Sequence, residues 1–160
     1  METLYFDILQ FLYHLALALI VGGAFVLGSA VAPAIFTAAR TPGEGGLLFG
    51  SILARFDQLA ILSVVLLTVT SVLKLLAFED IAIGPRLVAR WVALVALAIA
   101  VLYGSAWSSP VARTLREQTK NFDELPDGHP IRVEFGRLHR SSTRAMRVAL
   151  LAGVVALFLS

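Results

Sequence analysis

Cysteine is absent from the 160 residues. Disulfides, thiolate metal centres, iron–sulfur clusters and cysteine nucleophiles are therefore excluded. Charge is scarce: Asp, Glu, Lys and Arg make up 15% of the chain, against about 25% in a soluble domain. Enzyme signatures are missing too, with no GxSxG, HExxH, GxxxxGK[ST] or GxGxxG in the sequence. No catalytic residue is assigned on this reading, which leans away from an enzyme. No aromatic stacking platform accompanies the basic residues, so nucleic-acid recognition is not expected.

What the sequence has in abundance is oil. Hydrophobic residues reach 58%, with a mean hydropathy of +0.84. A crossing of the bilayer needs about 20 mainly apolar residues. Four stretches qualify, at about 9–38, 48–78, 87–112 and 138–160. The expected fold is an all-α integral membrane four-helix bundle in a single domain. The start, METLYFDILQ, is acidic where a secretory signal needs a basic region, so it is expected to remain as the first helix.

Pro and Gly separate the stretches. TPGEGG at 41–46 and EDIAIGP at 79–85 read as short turns, and ELPDGHP at 124–130 as a longer one. Helices 3 and 4 should extend beyond the bilayer as a polar helical hairpin at about 113–137. Pro33 and Pro110 should bend helices 1 and 3.

Basic residues divide unevenly. Lys74, Arg86 and Arg90 fall on the side of the termini. The other ten, Arg40, Arg55, Arg113, Arg116, Lys120, Arg132, Arg137, Arg140, Arg144 and Arg147, fall on the opposite side. The Lys/Arg bias of loops then places the ten-charge side in the cytoplasm and both termini outside, in a bacterial inner membrane.

An internal echo is visible. LGSAVAPAIFTAAR (27–40) and YGSAWSSPVARTLR (103–116) both run Gly-Ser-Ala, Pro, then Arg, and Phe49-Gly50 matches Phe135-Gly136. Two readings stand: tandem helical hairpins related by a twofold along the membrane normal, or chance among small residues. On the first, the Gly-Ser-Ala segments should face each other near the bundle axis.

The candidate site residues are ionisable groups in or beside apolar helices. Arg137, Arg140, Arg144 and Arg147 are spaced by 3, 4 and 3, which puts them on one helical face. That face is either an anion or lipid-headgroup site or a snorkelling anchor. The depth of Arg144 and Arg147 calls for an acidic partner. Asp57 is the expected one, supported by Glu134. Arg55 cannot serve Asp57, because positions i and i+2 of a helix face different ways. His14 and Lys74 share a depth near the outer side. They line a vestibule there, or His14 bonds a neighbouring helix while Lys74 snorkels. His139, Thr143 and Met146 share a face. His14 and His139 lie too far apart along the bilayer to hold one haem or metal together, so no metal or cofactor is assigned. Haem at His14 alone stays a secondary option.

LYHLALALIVGGAFVLGSAVAPAIF, GGLLFGSILARFDQL and EFGRLHRSSTRAM resemble the transmembrane-protein-205-like family, whose bacterial members are mostly a domain of unknown function. The resemblance covers His14 with Gly22-Gly23, Ala32-Pro33, Phe49-Gly50, Arg55 and the run Phe135 to His139. It implies a four-helix membrane protein and supplies no reaction. Animal members are linked to resistance against platinum drugs, which implies export or membrane traffic. A more distant similarity, resting on LYHLALALIVGGAF, is to small haem-pathway oxidase and copper-resistance membrane proteins. The leading expectation is an oligomeric small-solute transporter, channel or export component with a basic cytoplasmic mouth. The alternatives are a haem- or metal-associated redox protein and a structural subunit that binds anionic lipid.

Overall fold

The computed structural model describes residues 2–78 and 84–160. Most of the turn expected at 79–85 lies outside the described residues. Four long helices dominate: α1 (Thr3–Ala38), α2 (Pro42–Phe78), α3 (Pro85–Gln118) and α4 (Pro130–Leu159). All four are long and apolar enough to cross a membrane. No strand occurs among the described residues. The chain is thus an all-α, multi-pass membrane four-helix bundle.

The helix starts follow local chemistry. Pro42, Pro85 and Pro130 each open a helix, where a missing N–H is harmless and a fixed φ helps. Before α2, the Thr41 hydroxyl accepts from the Glu44 N–H at 3.1 Å and the Glu44 carboxylate accepts from the Arg40 N–H at 2.9 Å, a variant of the capping box. Before α4, the His129 ring accepts from the Ile131 N–H at 3.3 Å.

The expected bends at Pro33 and Pro110 take a specific form. A π turn, Leu27–Val31, precedes Pro33, and another, Leu102–Ser108, precedes Pro110. The Ala32 N–H reaches back to the Leu27 carbonyl and the Ser109 N–H to the Gly104 carbonyl. The wide turns absorb the disruption a proline ring causes in a helix.

Both π turns contain the repeated Gly-Ser-Ala. An aromatic pair closes each hairpin: Phe36 meets Phe49 at 6.1 Å, and Phe122 meets Phe135 at 5.1 Å. Hairpin 1 (α1 and α2) packs on hairpin 2 (α3 and α4) through α1 against α4 and α2 against α3. The two Gly-Ser-Ala segments do not face each other as expected. Gly104 and Ser105 are buried, whereas Gly28, Ser29 and Ala30 are exposed. The Ser29 hydroxyl turns back to the Phe25 carbonyl at 2.6 Å. A single hydroxyl on a lipid-facing helix satisfies itself locally, while Gly104 is needed where α4 brings Ala145 close.

The interior is built from Tyr13, Leu17 and Ile20, with alanines at Ala16, Ala60, Ala93, Ala100, Ala149 and Ala156. Larger side chains point outward: Leu62 is 65% exposed and Leu151 67%. Leu67, Leu94 and Leu97 also lie in the core, and the alanines between such residues let the helices pack closely, which drives association where lipid is as apolar as the protein.

At 1.5 Å per residue, α1 and α2 are about 55 Å long, well beyond the roughly 30 Å bilayer core. Both chain termini lie at one end, where His14 meets Ser160 at 3.0 Å. The other end carries the α1–α2 and α3–α4 connections. These are called the terminal end and the hairpin end below.

Candidate ligand cavity at the hairpin end

Hydroxyls collect on α3 where it meets α2 and α4. Ser105, Ser108 and Ser109 are all buried, although the surrounding helices are apolar. The Ser108 hydroxyl donates to the Leu138 carbonyl at 2.8 Å, joining α3 to α4. The Ser109 hydroxyl donates to Asp57 Oδ2 at 2.8 Å, joining α3 to α2. Arg113, one turn further along α3, donates to the same oxygen at 3.1 Å and to Ser109 at 3.4 Å. Asp57 is 4% exposed, and its Oδ1 has no hydrogen-bond partner among the described residues.

Above this ion pair lies a cavity of about 530 Å³ between the two hairpins. Its walls differ. Hairpin 1 contributes Phe36, Leu47, Phe49, Leu53, glycines and one hydroxyl, Ser51. Every charged lining residue comes from hairpin 2: Arg113, Arg116, Glu117, Asp123, Asp127 and Arg132, joined by Ser109, His139 and Ser142.

Two arginines shape the rim. Arg116 donates to Asp123 at 2.9 and 3.1 Å and to the Gly43 carbonyl at 3.0 Å, so one guanidinium ties the α1–α2 turn to the α3–α4 connection. It also lies 5.4 Å from the centre of the Phe122 ring. Gly43 lies close under this pair: a Cβ there would sit 2.6 Å from an Asp123 oxygen and would make that side chain shift. Arg132 donates to the Leu125 carbonyl at 2.7 Å and pairs with Asp127 at 3.2 Å.

The residues singled out from sequence end up apart. Asp57 is ion-paired, but with Arg113 and not with Arg144 or Arg147. The reason is depth. Ser108 is level with Leu138, and Arg144 lies six residues further along α4, about 9 Å away. Glu134 serves Arg137 at 2.6 Å, its neighbour one turn along. Arg137, Arg140, Arg144 and Arg147 are all exposed on the outer face of α4, and none of them lines the cavity. Among the described residues no carboxylate lies within ion-pair range of Arg144 or Arg147. Arg55 is exposed and does not reach the buried Asp57. His139 lines the cavity and stacks on Phe135 at 6.1 Å, whereas Met146 faces a separate void of about 10 Å³.

His14 and Lys74 do meet, through a residue the sequence reading passed over. The Lys74 ammonium donates to Gln10 Oε1. Gln10 reaches His14 at 3.4 Å, and His14 reaches Ser160 at 3.0 Å. Lys74 is 5% exposed and lies over the Tyr13 ring at 4.8 Å and the Phe6 ring at 5.6 Å. His139 is 21 residues before Ser160 on one helix, about 31 Å, so the two histidines occupy opposite ends. No group of three or more His, Asp or Glu gathers among the described residues.

Arg113, Arg116, Arg132 and Gln10 were missed, though signals existed. Ser109, Arg113 and Arg116 recur at helical spacing on one face. Gln10 stands one turn before His14.

No curated protein and no solved structure matches the chain. One family profile does, over residues 15–121, covering most of α1 and all of α2 and α3 while leaving α4 outside. By that match over two-thirds of its length, the chain belongs to the DUF4149 family, described as a domain of unknown function.

Proposed function

We propose that this integral membrane protein is a small-solute transport or export component that receives its solute in the cavity between the hairpins. The observation that carries the reading is the asymmetry of the bundle. One end holds a cavity of about 530 Å³, and at the other Lys74, Gln10, His14 and Ser160 are joined in a hydrogen-bonded chain. Between them the core narrows to a void of about 10 Å³ beside Ser105 and Ser142, room for a single water at most. Passage therefore requires the hairpins to move or a path to form between copies of the chain. The resemblance to the transmembrane-protein-205-like family, with its link to export, supports the same reading. The basic residues favour a hairpin end in the cytoplasm of a bacterial cell.

Proteoliposomes loaded with small naphthyl solutes test it. Release should exceed that from protein-free liposomes. A bulky maleimide on Ser51→Cys, in a chain otherwise free of cysteine, should block it. Release no faster than from empty liposomes would overturn transport.

A second reading is favoured by a separate observation. Arg140, Arg144 and Arg147 are exposed on a lipid-facing helix, on a bundle surface that also exposes Tyr103 and Trp107. Such a stripe suits anionic headgroups, with aromatic rings at the interface. Purified protein should retain anionic lipid through detergent washing and lose it in Arg140→Gln or Arg144→Gln.

A further inference from the structure

We propose that the cavity's solute is an amphipathic organic anion, its head held by Arg113 and Arg116 and its apolar body laid against hairpin 1. This rests on the cavity being the binding site argued above, and it adds the chemical class.

Three observations carry it. First, the walls differ: hairpin 1 contributes aromatic and aliphatic side chains and no charge, and all charge lies on hairpin 2, beside Phe122 and Phe135. A wholly polar solute would leave Phe36, Phe49 and Leu53 facing it without gain. A wholly apolar one would cover the remaining guanidinium donors of the ion-paired arginines without offering them an acceptor.

Second, the two arginines have donors to spare. A guanidinium carries five N–H groups. Arg113 and Arg116 each make their hydrogen bonds to protein through Nη2 alone. Among the described residues the Nε and Nη1 edge of Arg113 makes no hydrogen bond and remains for a ligand, while Arg116 Nη1 packs close to Gly46 and leaves Nε. The residues stand three apart on α3, on the same face, and a planar fork suits a carboxylate, sulfonate or phosphate.

Third, the counter-ion of Arg113 stands behind the wall and takes only one of its edges. Asp57 offers it one oxygen, shared with Ser109, and lies behind the cavity wall. Arg116 and Arg132 are neutralised instead by Asp123 and Asp127, acids on the rim itself. Arg113 is therefore the cation that can meet an incoming anion with its other edge without dismantling the rim or the Asp57 pair.

The test uses the full chain in nanodiscs of zwitterionic lipid, with empty nanodiscs subtracted. Four probes are titrated calorimetrically: 1-naphthalenesulfonate, neutral 1-naphthalenemethanol, cationic 1-naphthylmethylammonium, and inorganic sulfate. The sulfonate should bind tightest, and sulfate alone weakly. Arg113→Gln should weaken sulfonate binding by about tenfold or more and leave the alcohol unchanged, and Arg113→Lys should restore part of the loss. Asp57→Asn should tighten sulfonate binding, an opposite sign that a purely structural ion pair would not give. A thermal melt identifies any variant that fails to fold, and Arg113→Lys then carries the comparison. Ammonium binding as tightly as sulfonate overturns the anion. So does equal weakening by Arg113→Gln and Asp57→Asn. Alcohol binding as tightly as sulfonate overturns the anion but leaves the cavity reading standing. If no naphthyl compound binds, both fall.

Discussion

The terminal and hairpin ends of the bundle both hold cations against apolar helices, with different partners. At the terminal end, Lys74 is met by the Gln10 amide and the faces of Tyr13 and Phe6. At the hairpin end, Arg113, Arg116 and Arg132 are met by Asp57, Asp123 and Asp127. Amides and rings can surround a cation closely and leave little space, and Lys74 is 5% exposed. At the hairpin end the ion pair itself bridges two helices, Arg113 of α3 reaching Asp57 of α2, and a cavity of about 530 Å³ lies beside it. The two ends thus differ in what lies beside the cation: Lys74 is buried among side chains of α1 and α2, whereas Arg113, Arg116 and Arg132 line a cavity.

The largest effect should come from breaking the deepest pair. Arg113→Gln leaves Asp57 buried without its cation, a loss of about 3–5 kcal/mol for a buried pair, read as a lowered melting temperature in mild detergent. The double variant with Asp57→Asn should lose less than the sum of the two single losses. Strict additivity would mean the pair is not coupled and the hairpin end is not organised by it.

Gln10→Leu at the terminal end should cost less, about 1–3 kcal/mol for a lost buried acceptor, because the two aromatic faces still stabilise Lys74. If it costs as much as Arg113→Gln, the contrast between the ends fails. Away from both ends, Gly153→Leu tests the packed middle. A Cβ there would lie 2.4 Å from Val21 and 3.2 Å from Leu97, and overpacking costs about 1–3 kcal/mol. A neutral result would mean that the core between the ends can widen easily.

Arg144→Gln with Arg147→Gln should change melting least. Both residues are exposed and without a carboxylate among the described residues. Their effect should appear in sidedness instead. A Gly128→Cys label site should be protected from an impermeant maleimide in spheroplasts and become accessible on permeabilisation. Labelling of intact spheroplasts would place the hairpin end outside.

Much of the architecture was legible along the chain. Four apolar stretches, prolines at helix starts and at the two bends, and the turn residues of the α3–α4 connection all act locally or through the bilayer. The Gly-Ser-Ala echo was legible as a repeat but not in orientation, because which face of α1 meets a neighbour depends on the other helices. Asp57 was legible as a residue needing a cation. Its partner was not, since choosing between Arg113 and the α4 arginines requires the relative depth of three helices.

Composition and periodicity therefore determined the solvent, the number of crossings and where the backbone bends, because each follows from the free energy of a segment considered alone in lipid. Only the tertiary structure decided that the conspicuous arginine stripe faces outward while Arg113 and Arg116 line the cavity. Helix rotation and stagger fix which charges share a space, and those are set by how small side chains such as Gly104 and Ala145 let the helices approach.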